Sequence, residues 1–134
     1  VSTVHSWSSR KSIRLADLDG QDMVMREEGS MTRQVVEKAL KEKKIRSNVV
    51  MEVGSREAVW EAVAEGHGIG VISEISLQPD PRIKALSISD HKIQTRIDAV
   101  CLKQRQHSSV VRTFLRMVDA VNGESLGFTK TPNS

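Results

Sequence analysis

The sequence predicts an α/β domain, a mixed and mostly parallel sheet flanked by helices. Strand-like apolar runs and segments of helical period alternate as strand, helix, strand, helix, strand within about fifty residues. Parallel neighbours need long crossovers, and here the crossovers are helices. The chain has 134 residues, 38% of them hydrophobic, and eight glycines, a composition close to that of ordinary globular proteins. One domain is expected at this length, with a core large enough to need neither disulfides nor a structural metal.

The elements follow in order. Val1 to Lys11 carries no clear element. Ser12 to Leu18 reads as a single helical turn whose Leu15 and Leu18 plug the space under the first strand. Asp22-Met23-Val24-Met25-Arg26 is a short apolar strand ending at the turn Glu27-Glu28-Gly29-Ser30. From Ser30 to about Lys44 the period changes, with Val35, Val36, Ala39 and Leu40 on one face of an amphipathic helix. A second strand, Asn48 to Val53, leads through Gly54-Ser55 into a second helix with Ala58, Val59, Ala62 and Val63 inward. Ser55 suits its N-cap and Gly66 its close. Gly68 to Ile72 reads as a third strand buried on both faces. Pro79 and Pro81 interrupt, two strands are expected at Ile83 to Ile88 and Gln94 to Lys103, and a last helix spans Ser108 to Val121 with Val111, Phe114, Leu115 and Val118 on one face. Asn122 to Ser134 reads as a fraying tail.

Composition excludes several functions. Cys101 is the sole cysteine, so an internal disulfide is impossible and a reducing, intracellular setting is expected. Its alternating neighbours, Ile97 to Leu102, suggest a packed core thiol over a reactive one. The apolar runs are too short to span a bilayer, and no secretion signal precedes them. Twenty basic residues against seventeen acidic ones give a net charge of +3, a weak signal for nucleic acid. With only Trp7, Trp60, Phe114 and Phe128 as aromatics, a base-stacking platform is not expected. His5, His67, His91 and His107 are isolated, without the spacing of a zinc site. His67-Gly68-Ile69-Gly70 is no dinucleotide fingerprint, because its glycines precede the strand. No serine stands in a nucleophile elbow, so no enzyme and no cofactor are expected.

The candidate site lies where strands hand over to helices. Gly29, Ser30, Thr32 and Arg33 bring a close-approach backbone, two hydroxyls and a guanidinium to a helix start. Unpaired N–H groups and a partial positive charge there suit a carboxylate, phosphate or phosphonate. An ordinary N-cap at Ser30 with Arg33 solvated fits the same residues. Ser55 repeats the arrangement at the second helix, Gly68 and Gly70 supply small residues near the third strand, and Glu27 offers a carboxylate to a ligand amine. In an open α/β sheet the strand ends gather at one edge, and ligands bind in that crevice.

The segments Arg26-Glu27-Glu28-Gly29-Ser30-Met31-Thr32-Arg33, Glu52-Val53-Gly54-Ser55-Arg56-Glu57-Ala58-Val59 and Gly66-His67-Gly68-Ile69-Gly70-Val71-Ile72-Ser73 together resemble the effector-binding region of LysR-type transcriptional regulators. His5-Ser6-Trp7 and Leu15-Ala16-Asp17-Leu18 extend the likeness, although Ser6 replaces the family's usual proline and His67 a frequent aliphatic residue. The resemblance implies a type 2 periplasmic-binding-protein-like fold in which two subdomains clamp a small effector. It implies that residues 1–107 form the second effector-binding subdomain with hinge strands, 108–121 the C-terminal helix of the first subdomain, and 122–134 a flexible tail. It also implies a cytoplasmic homo-oligomer, a small anionic effector, no membrane contact, and DNA contact only through a missing N-terminal helix-turn-helix domain. The effector-binding residues expected are Glu27, Gly29, Ser30, Thr32, Arg33, Ser55, Gly68 and Gly70. Within the family, the first segment, Gly54 to Val59 and Asp80-Pro81-Arg82 look similar to regulators associated with aminoethylphosphonate catabolism. A transport-type solute-binding protein of the same fold is the alternative.

Overall fold

In the computed structural model, residues 1–95 and 97–122 are described, and the chain divides into two compact units, Val1–Thr95 and Arg96–Ser134. The first unit contains β1 (Ser12–Ile13), β2 (Asp22–Arg26), α1 (Met31–Glu42), β3 (Asn48–Val53), α2 (Arg56–Ala64), β4 (Ile69–Gly70) and β5 (Ser87–Ile88). The second contains α3 (Ser109–Asn122). The central sheet has the order β3-β2-β4 with both pairings parallel, as the alternation of elements requires. β1 and β5 form a separate parallel pair.

β2 is the axis of the core because its side chains alternate between two apolar layers. Met23 and Met25 face the layer of Val36, Ala39 and Leu40 from α1, together with Leu15, Leu18 and Ile69. Val24 faces the layer of Val59, Ala62 and Val63 from α2. The two helices therefore cover opposite faces of one sheet. Leu15 and Leu18, on a 3-10 turn, are 1% exposed and act as the expected plugs. The β2–β3 register slips between Met23 and Val24: Met23 pairs with Val49 and Val24 with Met51, so Val50 is the extra residue of a bulge on β3.

Several expected strands shrink. Only Ile69 and Gly70 join the ladder of the third strand, and Val71 and Ile72 are half-buried where burial on both faces was expected. Of the stretch Ile83 to Ile88, Ser87–Ile88 pairs with the two-residue β1, and Ile83 makes one isolated antiparallel bridge to Ser2. The described residues from Gln94 to Lys103 form no strand, and Cys101 is exposed, not a packed core thiol. Apolar alternation makes a strand only where a neighbour accepts its backbone hydrogen bonds, and this stretch has none among the described residues. On α3, Val110, Phe114 and Met117 are exposed, while Val111, Leu115 and Val118 are half-buried. The expected tail, apart from Asn122 at the end of α3, lies outside the described residues.

An ion-pair cluster fastens the segment after β4 to α2. Arg82 donates to Glu61 at 2.9 and 3.0 Å and to Asp80 at 2.8 and 3.2 Å, while Trp60 Nε1 donates to Asp80 at 2.8 Å. The Arg82 side chain, then Trp60, then the Arg82 backbone N–H hold the Asp80 carboxyl well below the usual carboxylate range. A carboxyl depressed in the folded state adds stability above its unfolded pKa and loses it as the pH falls through the lower folded value. The difference in melting temperature between wild type and Asp80→Asn should therefore be constant near neutrality and close below about pH 4, measured by thermal melts across pH.

Candidate functional site

The candidate site is the carboxyl edge of the central sheet. Arg26 and Val53 are register partners at the ends of β2 and β3, and the ladder continues with Glu27 N–H donating to the Val53 carbonyl at 3.1 Å. The chain then reverses, with Ser30 N–H donating to the Glu27 carbonyl at 2.9 Å, and enters α1. After β3, Gly54 and Ser55 lead straight into α2. Both helix N-termini thus flank one edge from opposite faces, with α1 supplying one positive pole and α2 the other.

The two starts differ in how they are satisfied. Ser55 Oγ accepts from Ala58 N–H at 3.0 Å, a conventional N-cap. Ser30 occupies the N-cap position of α1 and is only 9% exposed, but its side chain makes no capping bond. Among the described residues the N–H groups of Met31, Thr32 and Arg33 have no acceptor, and the first intrahelical partner taken is the Ser30 carbonyl by Gln34 at 3.0 Å. A helix leaves its first N–H groups orphaned unless something supplies an acceptor. Consequently Ser55→Ala should lower stability by about 1 kcal/mol, whereas Ser30→Ala should change it by less than about 0.5 kcal/mol; chemical denaturation of the two variants checks the contrast.

Arg33 is not a solvated cation. It donates to Glu37 at 2.6 Å, to Glu52 on β3, and to the Arg26 carbonyl at 2.9 Å. Its guanidinium clips the first turn of α1 to the sheet, and those partners hold it protonated beyond the ordinary arginine range. Glu27 is also engaged: Arg26 Nε and Nη2 donate to its two oxygens, each at 2.8 Å. That pairing holds the Glu27 carboxyl below the usual carboxylate range. Thr32 is half-buried and Gly29 exposed.

Gly68 and Gly70 have close neighbours of their own within the fold. Gly68 has φ +155°, and a Cβ there would stand 2.7 Å from the carbonyl oxygen of Asp22. Asp22 begins β2, so Gly68 lies at the amino edge of the sheet, opposite the helix starts. At Gly70 a Cβ would stand 2.7 Å from Val63 Cγ2 and 2.8 Å from Val59 Cγ1. Its smallness lets β4 lie close against α2. Both glycines are explained by close approach within the fold, so the structure brings together Glu27, Gly29, Ser30, Thr32, Arg33 and Ser55 at one edge and leaves the glycine pair out. Missing from the expected set was Arg26, whose Nη2 also donates to the Gly54 carbonyl at 3.3 Å and so links the two helix-leading loops. Its position as the first charge after the apolar run Met23-Val24-Met25 was the available signal.

A concavity of about 550 Å³ lies elsewhere, lined by Leu77, Pro79, Asp80, Pro81 and Ile83 among others, and includes none of these residues. Among the described residues no three His, Cys, Asp or Glu side chains stand close enough to hold a metal ion. No helix among them is long and apolar enough to cross a membrane.

Comparison with known proteins adds to this geometry. The family model for the LysR substrate binding domain matches residues 1–122. The chain is 34% identical over 118 residues to the HTH-type transcriptional activator CmpR of Synechocystis, covering 86% of the chain and 39% of that protein. It is 33% identical over 123 residues to the uncharacterized HTH-type transcriptional regulator MJ0300 of Methanocaldococcus jannaschii, covering 87% and 42%. The chain thus spans about two fifths of the length of these relatives. Its structure is similar to that of the Synechocystis CcmR regulatory domain in complex with 2-PG, with TM-score 0.74, 27% identity, and coverage of 93% of this chain and 62% of that one. The LysR family regulator HinK of Pseudomonas aeruginosa, at TM-score 0.73 and 17% identity over 87% of this chain and 41% of that one, shares the fold.

Proposed function

Because this chain belongs to the LysR substrate binding domain family, we propose that it is the effector-sensing part of a LysR-type transcriptional regulator and takes a small anion at the carboxyl edge of its central sheet. The observation that carries this reading is the start of α1, where three backbone N–H groups lack a protein acceptor beside Ser30, whose hydroxyl makes no capping bond. Such a cluster favours phosphoryl, phosphonyl or carboxylate oxygens. The likeness to a regulatory domain solved in complex with 2-PG supports a small effector. The sequence likeness to regulators of aminoethylphosphonate catabolism makes a phosphonate the specific ligand to test. Signalling requires that the anion bind one arrangement of the protein better than another. In this reading the domain is non-catalytic and acts in the cytoplasm within a homo-oligomer, and DNA is contacted by a separate helix-turn-helix domain.

Calorimetry on the intact protein with inorganic phosphate, 2-aminoethylphosphonate, ethylphosphonate and acetate tests the proposal. Saturable heat with at least one phosphate-type anion, accompanied by altered DNA binding, is expected. Absence of heat with every anion, with DNA binding unchanged, overturns it.

A further inference from the structure

The carboxyl edge holds a guanidinium whose counter-ion is partly exposed. Arg33 is committed to Glu37, Glu52 and a backbone carbonyl, and Arg56 Nη1 donates to Ser76 Oγ at 2.6 Å. Arg26 differs. Its side chain is 19% exposed, and both arms of its fork close on Glu27, whose own side chain is 43% exposed. A sheltered cation is therefore neutralised by a half-exposed carboxylate, with Glu57 as a second acidic neighbour. Successive side chains of a strand leave opposite faces, so this neighbouring pair meets only because the chain turns at Glu27 towards Ser30. The same guanidinium reaches the Gly54 carbonyl at the α2 loop, and the turn brings Ser30, whose side chain makes no capping bond, to the same edge.

We propose that Glu27 is a built-in counter-anion with which an oxyanion of the effector exchanges, Arg26 becoming the ligand's charge partner and Glu27 setting the concentration at which the domain responds. The proposal rests on the anion-sensing reading and deepens it. Planar, two-armed recognition is what a guanidinium offers equally to a carboxylate, a phosphate or a phosphonate. A resident competitor lowers apparent affinity by the fraction of time it holds the fork. Glu27 is thus a specificity residue of opposite sign to the amine-binding carboxylate the sequence suggests.

Calorimetry with inorganic phosphate on the intact protein separates these roles. Glu27→Gln should tighten binding about three- to fivefold, the range set by a partly exposed ion pair. Glu28→Gln removes the same charge from an exposed neighbour and should change binding by less than about twofold, because solvent screens it. Arg26→Gln should weaken binding at least about tenfold while its circular dichroism stays native. Unchanged or weaker binding by Glu27→Gln overturns the proposal, as does equal tightening by Glu28→Gln. A preference for 2-aminoethylphosphonate over ethylphosphonate that vanishes in Glu27→Gln also overturns it, by making Glu27 an ammonium receptor. Failure of the wild type to bind any anion is a different result and removes the anion-sensing reading itself.

Discussion

Thr32→Asp should reduce anion affinity on the order of a hundredfold, since placing like charges together at a recognition site costs several kcal/mol. The same substitution should leave the melting temperature unchanged or slightly higher. Thr32 is the second residue of α1, and an acidic side chain in the first turn favours the helix by about 0.3–1 kcal/mol. The opposed signs make the test sharp. A destabilised protein would lose binding and stability together, whereas an occupied anion site loses binding alone. Calorimetry with inorganic phosphate and a thermal melt, run on one preparation, read both. Unaltered phosphate affinity would place the anion away from the start of α1.

The second large effect is structural. Gly68→Ala should cost about 3 kcal/mol, combining an unfavourable backbone conformation with a clash against a carbonyl that has no room to retreat. The added Cβ would meet Asp22 O at 2.7 Å and Asp22 C at 3.1 Å, both backbone atoms. For a domain of this size the melting temperature should fall by about 10 °C. Gly29→Ala, where an added Cβ meets nothing within 4 Å, should be nearly neutral. Equal losses in the two variants would mean that glycine content alone, and not the approach of β4 to β2, governs stability.

This contrast shows what the sequence carried and what it did not. The parallel sheet, α1 and α2 were legible because Met23, Val24 and Met25 form an unbroken apolar run and Val36, Ala39, Leu40, Val59, Ala62 and Val63 recur at helical period, and burial enforces both patterns. Ser55 was legible as a cap because its chemistry is local. The placement of the glycine pair was not legible because smallness has two uses, admitting a ligand or admitting the chain itself, and only three-dimensional neighbours such as Asp22 and Val63 bear on which. Arg33 and Glu27 were legible as charges near the edge. Their engagement with Glu37 and Glu52, and with Arg26, depends on strand pairing and on a turn that no spacing rule encodes. The stretch around Cys101 kept its alternation without finding a partner strand among the described residues.

The bulge at Val50 has a bearing on how the protein behaves when crowded. β3 is one of the two edge strands of the sheet, and Val49 and Val50 are each 44% exposed, so a straight β3 would be a sticky template for a passing chain. The extra residue breaks the even spacing of donors and acceptors that a docking strand would need to match. Deleting Val50 should therefore raise the tendency of concentrated samples to aggregate, read by light scattering.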